Sequence, residues 1–124
     1  MTDRENIWVI DDDRSIRWVL ERALKKANMD VVTFESASGV MDRLSRELPD
    51  AIVTDIRMPG IDGLELLSQI NNQFPDLPVI IMTAHSDLDS AVSAYQGGAF
   101  EYLPKPFDVD EAIALVRRAV EHSR

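Results

Sequence analysis

Short apolar runs alternate with stretches of helical periodicity five times along this chain of 124 residues. Residues 51–54 and 79–82 are apolar on both faces, which is typical of strands in a parallel sheet that is covered on both sides. The other strand candidates are residues 7–10, 31–34 and 100–103. The pattern predicts an α/β fold, a doubly wound five-stranded parallel sheet with right-handed crossovers and with three helices on one face and two on the other.

The intervening stretches carry apolar residues at steps of three and four, which predicts five amphipathic helices. The first is predicted over about residues 14–27, with Asp13 as its cap and Trp18 packed against the core. The second is predicted from residue 37 to Leu48, ending at Pro49. The apolar residues that mark the other three are Leu64, Leu67, Ile70 and Phe74; Leu88, Ala91, Val92 and Tyr95; and Val109, Ala112, Ile113, Val116 and Val120.

Composition restricts the partners that such a domain can have. The formal net charge of -9 argues against binding to nucleic acid or to an anionic membrane surface. Without cysteine, the chain can form neither disulfides nor thiolate metal sites. The polar start is unlike a signal peptide, and no apolar run approaches the roughly 18 residues of a membrane span. We expect residues 1–124 to form one soluble, cytoplasmic domain.

Charged residues stand where three of the predicted strands end. Asp11 and Asp12 follow the first run, Asp55 follows the third, and Lys105 follows the fifth. In a parallel sheet these positions meet at the carboxyl edge, where open α/β sheets bind their ligands. An isolated aspartate after a strand most often caps a turn. The convergence of the other groups favours a functional role for Asp55 instead.

Three clustered carboxylates repel one another by several kcal/mol, and a cation relieves that repulsion. A site with oxygen ligands only favours Mg²⁺ or a similar hard ion over zinc. We expect Asp12 and Asp55 to bind the metal directly and Asp11 to bind through water.

A carboxylate can accept a phosphoryl group as an acyl phosphate, which is the role expected for Asp55. Thr83 ends the fourth run, so a hydroxyl and the Lys105 ammonium would complete a phosphate cradle. Lys105 stands between two prolines, and the Lys105–Pro106 bond is a candidate cis peptide.

These residues resemble the receiver domain of bacterial two-component response regulators over nearly all of residues 1–122. The matching motifs are Asp11-Asp12, Asp55, Met58-Pro59-Gly60 with Asp62-Gly63, Thr83-Ala84, and Lys105-Pro106-Phe107. Residues 15–20, 55–60 and 82–89 resemble the NtrC-like subfamily, which regulates nitrogen genes. The resemblance implies a flavodoxin-like (βα)5 fold with strand order 2-1-3-4-5.

The resemblance also implies roles and partners. Asp55 would take a phosphoryl group from a sensor histidine kinase, with Mg²⁺ held by Asp12, Asp55 and the backbone carbonyl of Arg57. Lys105 would contact the phosphoryl oxygens, Thr83 would move to bind them, and Tyr102 would follow as a switch aromatic. In NtrC-like proteins the receiver controls an attached output ATPase and a DNA-binding domain, and a phosphorylation-dependent homodimer is a further candidate. The segment itself would be a signalling domain rather than an enzyme.

The fourth predicted helix contains middling helix formers and ends at a glycine pair. Because it directly follows Thr83, we expect phosphorylation to reposition residues 85–98 and to expose an apolar patch that includes Leu88 and Val92. A solvent-facing helix that simply need not be strong is the plainer interpretation.

Two other functions fit parts of the pattern. A phosphohydrolase with an aspartate nucleophile usually has a second aspartate two residues later, where this chain has Arg57. A flavodoxin-like cofactor domain would need a phosphate-binding loop after the first strand, where the acidic run 11–13 would repel phosphate.

Overall fold

The computed structural model describes residues 5–57, 62–84 and 87–122, except for the side chains of Leu88 and Ser90. The strands are β1 (Asn6–Ile10), β2 (Asp30–Phe34), β3 (Ala51–Asp55), β4 (Val79–Ala84) and β5 (Glu101–Lys105). The helices are α1 (Arg14–Lys26), α2 (Val40–Leu44), α3 (Gly63–Gln73), α4 (Leu88–Gln96) and α5 (Val109–His122). The sheet is parallel with the order β2-β1-β3-β4-β5, which confirms the predicted fold.

Two apolar cores lie on opposite faces of this sheet. On one face, α1 and α5 pack against alternate residues of the central strands, such as Val9 and Val53. On the other face, α2, α3 and α4 pack against the neighbouring residues, such as Trp8 and Ile52. Strand β3 is buried along its whole length. The predicted division into three helices and two is therefore correct, and both faces of the sheet are covered.

Helix α2 is shorter than predicted. It occupies only five residues, begins after Gly39 in the left-handed conformation (φ 82°), and ends before Leu48, which is 56% exposed. The prediction of a helix to Leu48 was wrong for two reasons. The polar residues 45–47 offer nothing to bury, and a residue that precedes proline is disfavoured in helical geometry.

Among the side chains of helix α4 that the structure describes, small apolar residues are buried and large ones are exposed. Ala91 and Ala94 face the core, whereas Val92 and Tyr95 are 47% and 43% exposed. Trp18 on α1 is also exposed (57%), with the Arg22 guanidinium 4.8 Å from the ring centre, so the prediction that it packs in the core was wrong. Periodicity identifies such helices correctly, but residue size does not reveal which side faces the sheet.

Within the described residues, no helix has the length and hydropathy that crossing a bilayer requires.

Candidate functional site

The carboxyl ends of β1, β3, β4 and β5 meet at one edge of the sheet. Strand register pairs Ile10 with Thr54, Asp55 with Met82, and Ala84 with Lys105. Asp11 therefore follows β1 at the level of Asp55, which is the last residue of β3. Lys105 ends β5 rather than following it, and its bond to Pro106 is cis, as predicted.

Asp11 is fully buried, and both its backbone and its side chain are hydrogen-bonded. Its carboxylate accepts a hydrogen bond from Lys105 Nζ (2.8 Å) and another from the backbone N–H of Asp13 (2.9 Å). Its own N–H donates to the carbonyl of Phe34 (3.0 Å), and its carbonyl accepts from Arg17 Nη1 (2.7 Å). Asp13 accepts from the N–H of Ser15 and caps α1, which confirms its predicted role. Asp11 is thus anchored through both its backbone and its side chain.

The Lys105 ammonium bridges two carboxylates, since Nζ also lies 3.2 Å from Asp55 Oδ1. Burial raises the pKa of Asp11 above its usual value, helped by the nearby Asp55 charge and only partly opposed by the hydrogen bond from Lys105. Burial alone would lower the pKa of Lys105, but the hydrogen bonds and charges of Asp11 and Asp55 together raise it. Lys105 therefore stays charged at neutral pH, next to Asp55.

A third carboxylate completes an acidic cluster. One oxygen from each of Asp11, Asp12 and Asp55 lies within 4.8 Å of the others. Three carboxylates facing one ammonium leave a net charge of about -2, and Asp12 is exposed toward solvent. An oxygen-only donor set with excess negative charge suits a hard divalent cation such as Mg²⁺.

The start of α3 packs closely against the backbone of Asp55 and Ile56. Gly63, the first residue of α3, donates its N–H to the carbonyl of Ile56 (2.8 Å). A Cβ on Gly63 would lie 2.4 Å from the carbonyl oxygen of Asp55 and 2.7 Å from Cα of Ile56. Thr54 Oγ1 donates to the same Asp55 carbonyl (3.1 Å). The Asp55 side chain remains 13% exposed, enough for its carboxylate to meet a reactant at the edge.

The remaining predicted site residues lie around this edge. Thr83 is buried in β4, one position beyond the partner of Asp55. Arg57 follows Asp55 by two residues, and its guanidinium pairs with Asp87 Oδ2 at 3.0 Å, just before α4. Tyr102 is half-buried in β5, and its ring contacts that of Tyr95 edge-on, with centroids 5.4 Å apart.

Leu88 and Val92 were predicted to become exposed when α4 moves. The Leu88 side chain lies outside the described residues, as do Met58, Pro59 and Gly60. Val92 is already exposed, so a change at α4 would have to move the helix rather than uncover this residue.

Sequence reasoning missed two residues that shape the site. Gly63 was noted only as part of a motif, although its lack of a side chain is what allows α3 to approach Asp55. Arg17 was noted only as part of the run 15–20, and no charge pattern indicated that it reaches back to Asp11. The sequence offers one signal for this contact: a basic residue lies in the first turn of the helix that follows the acidic end of a strand.

The chain is similar to known regulators along nearly its whole length. It is 66% identical over 115 residues to the DNA-binding transcriptional regulator NtrC of Klebsiella pneumoniae, an alignment that covers 93% of this chain and 24% of that protein. The chain thus spans about a quarter of the length of the curated relatives it matches.

Solved structures of receiver domains are similar to this chain along nearly its whole length. The apo receiver domain of nitrogen regulatory protein C matches with a TM-score of 0.88 and 63% identity, covering 98% of each chain. The BeF3-activated form of that receiver domain matches with a TM-score of 0.84 and 62% identity, covering 99% of each chain. Residues 7–117 match the response regulator receiver domain family. Strand order, acidic cluster and family match agree, and the chain belongs to the response regulator receiver domains.

Proposed function

We propose that this chain is a phosphorylation-operated switch in which Asp55 accepts a phosphoryl group from a sensor histidine kinase and so controls the output of an NtrC-like transcriptional activator. The observation that carries the proposal is the position of the Asp55 carboxylate, 3.2 Å from the Lys105 ammonium and beside the Asp11 and Asp12 oxygens. This arrangement offers a nucleophile, a fixed positive charge and a cation site at one edge of the sheet.

In the proposed transfer, an Asp55 carboxylate oxygen attacks the phosphorus of a phosphohistidine. The new O–P bond forms as the N–P bond breaks, and the electron pair returns to the imidazole. The product is an acyl phosphate. Lys105 already contacts Asp55 and would contact the phosphoryl oxygens, and Thr83 would hydrogen-bond to them.

The metal-binding residues of the proposal are Asp12, Asp55 and the backbone carbonyl of Arg57. Asp11 would act through water, because both of its carboxylate oxygens already accept hydrogen bonds from Lys105 and Asp13. When bound there, Mg²⁺ would supply positive charge against the phosphoryl oxygens.

We propose that phosphorylation changes the position of helix α4. Thr83 is the second-to-last residue of β4, Asp87 directly precedes α4, and Tyr102 contacts Tyr95 of that helix. A shift of Thr83 toward a phosphoryl group would therefore be passed to α4, with Tyr102 exchanging between an outer and an inner position. The apo and BeF3-activated forms of a solved relative support a switch within this fold.

The partners follow from the same proposal. They are a sensor histidine kinase, an output ATPase and a DNA-binding domain of the same regulator, and a homodimer formed on phosphorylation. A transcriptional regulator of this kind would work in the cytoplasm. Nothing favours the phosphohydrolase alternative, since the position two residues after Asp55 is held by Arg57, which is paired with Asp87.

Incubation with a small acyl phosphate and Mg²⁺, followed by intact-mass measurement, tests the proposal. We expect one added phosphoryl group that is labile in base and absent from Asp55→Asn. Thr54→Ser, a change at the neighbouring residue that keeps the hydroxyl, serves as the matched control and should still be phosphorylated. Phosphorylation of Asp55→Asn, or steady phosphate release at enzyme-like rates, would contradict the proposal.

A further inference from the structure

The Arg17 side chain reaches back from the first turn of α1 to the end of β1. Its Nη1 donates a hydrogen bond of 2.7 Å to the backbone carbonyl of Asp11, and the side chain is half-buried. The N–H of Arg17 donates to the carbonyl of Asp13 (3.2 Å), so the residue is held in the helix while its guanidinium reaches the strand.

The Asp11 carbonyl needs this donor because the neighbouring strand stops too early. In a parallel ladder the N–H and C=O of one residue point toward the same neighbour. The N–H of Asp11 bonds to Phe34, which is the last residue of β2, so that strand offers no further residue to donate to the Asp11 carbonyl. A buried carbonyl without a donor is destabilising. Arg17 supplies the hydrogen bond that the strand does not.

The peptide that joins Asp11 to Asp12 is therefore held by Arg17. Asp11 itself is fixed by its N–H, its carbonyl and both carboxylate oxygens. The Asp12 carboxylate, by contrast, has no hydrogen bond to any residue that the structure describes. The backbone that precedes Asp12 sets the point from which its side chain extends. Whatever fixes the Asp11 carbonyl therefore limits the positions that the Asp12 oxygens can take relative to Asp55.

We propose that Arg17 is a positioning residue of the acidic site, whose guanidinium orients the Asp11–Asp12 peptide and thereby presents Asp12 for Mg²⁺ binding. The inference rests on the proposed function, since it concerns the metal that phosphoryl transfer would use. If Arg17 acts by positioning, its removal should change Mg²⁺ affinity in the opposite direction from the one expected if it acts only through its charge. Removal of a nearby positive charge strengthens cation binding, whereas loss of orientation weakens it.

The test measures the Mg²⁺ dissociation constant by calorimetry in wild type, Arg17→Met, Arg17→Lys and Arg14→Met. Arg14 begins the same helix and is exposed, so Arg14→Met removes the same charge without touching Asp11. We expect Arg17→Met to raise the constant roughly tenfold. Arg14→Met should leave it within about twofold of wild type or lower it. Arg17→Lys, which keeps a donor, should restore part of the affinity.

Two results would overturn the inference: Mg²⁺ binding by Arg17→Met at least as tight as in wild type, or Arg17→Lys no better than Arg17→Met. If Arg17→Met fails to fold, Arg17→Lys is compared with wild type instead, and Mg²⁺ binding by Arg17→Lys as tight as that of wild type would overturn the inference.

A metal-free measurement separates this inference from the proposed function. In EDTA, Arg17→Met should speed amide exchange at Asp13, whose N–H is bonded to Asp11, and Arg14→Met should not. Unchanged exchange in Arg17→Met would overturn the inference even if Asp55 is phosphorylated. Absence of an acyl phosphate on wild-type Asp55 would instead contradict the proposed function while leaving the exchange result intact.

Discussion

Helices α4 and α5 both pack against β4, on opposite faces of the sheet, but they are anchored very differently. Helix α5 buries Leu115, Val116 and Val120. Among the side chains of α4 that the structure describes, only Ala91 and Ala94 are buried, whereas Val92 and Tyr95 are exposed. Burial of apolar area contributes about 25 cal/mol per Å², so alanines hold a helix far less firmly than leucine and valine. By these described side chains, α4 is held less firmly against the sheet than α5.

The acidic edge belongs with the firmly held part of the molecule. Asp11 is fixed through four hydrogen-bonding positions, and Asp55 lies at the end of a fully buried strand. A receiver needs this contrast, because chemistry requires fixed groups whereas signalling requires an element with two accessible positions. Thr83 and Arg57 stand at the boundary between the two parts.

The largest expected effect compares two glycines. Gly63→Ala should lower the free energy of unfolding by about 3 kcal/mol, because its Cβ would meet backbone atoms of Asp55 and Ile56 that cannot move aside. Gly97→Ala, just after α4, should change it by less than about 1 kcal/mol, since its Cβ would come no closer than 3.3 Å to the Ser93 carbonyl oxygen, its nearest neighbour outside the adjacent residues. Urea denaturation measures both, and equal losses would contradict the contrast between the site edge and α4.

The next effect compares one residue type in the two helices. Val116→Ala in α5 should cost about 2 kcal/mol, the transfer and cavity terms for a buried valine. Val92→Ala in α4 should stay within about 0.5 kcal/mol, because its side chain is 47% exposed. The same denaturation measurement applies. A loss at Val92 as large as that at Val116 would show that α4 is anchored as firmly as α5.

A smaller effect of opposite sign is expected at the acidic cluster. Without Mg²⁺ and at low salt, Asp12→Asn should raise the free energy of unfolding by about 1 kcal/mol, because it removes one of three carboxylates within 4.8 Å. Asp13→Asn makes the same change in charge and keeps a good helix cap, so it should stay within about 0.5 kcal/mol.

Saturating Mg²⁺ should reverse the advantage of Asp12→Asn, since wild type then gains the free energy of binding. Thermal unfolding with EDTA and with Mg²⁺ measures both parts. Equal stabilisation of wild type and of Asp12→Asn by Mg²⁺ would exclude Asp12 as a ligand.

The smallest effect is the pH dependence that Lys105 introduces. Its pKa is raised above 10.5 in the folded protein, so its contribution to stability is fully present below pH 10.5 and is lost as pH rises through the folded pKa. The stability difference between wild type and Lys105→Met should therefore be constant below pH 10.5 and should shrink as the pH rises above it. Lys25→Met, an exposed lysine on α1, is the control. A constant difference for Lys105 would show that its ion pairs do not act in solution.

The sheet and the acidic cluster could be predicted from the sequence, because the positions of apolar and charged residues along the chain determine both. Apolar runs mark strands, and charged residues at their carboxyl ends must meet if the strands are parallel. The sequence was insufficient for α2 and α4, where small or polar residues leave the buried side undetermined. Ala91 is buried and Val92 is not, although valine is the more apolar residue.

The roles of Gly63 and Arg17 could not be predicted for a different reason. Each depends on a contact with the backbone of another element, the carbonyl of Asp55 in one case and that of Asp11 in the other. Side-chain patterns carry no record of where a neighbouring strand stops or how closely a helix approaches. Such contacts emerge only once register and packing are fixed.

The most direct measurement is amide hydrogen exchange, segment by segment, with and without a small acyl phosphate and Mg²⁺, in wild type and Asp55→Asn. We expect exchange in α4 to change in wild type, exchange in α5 to stay the same, and neither helix to respond in Asp55→Asn. An unchanged α4 in fully phosphorylated wild type, or an equal change in α5, would contradict a switch built from a fixed acidic edge and a loosely held helix.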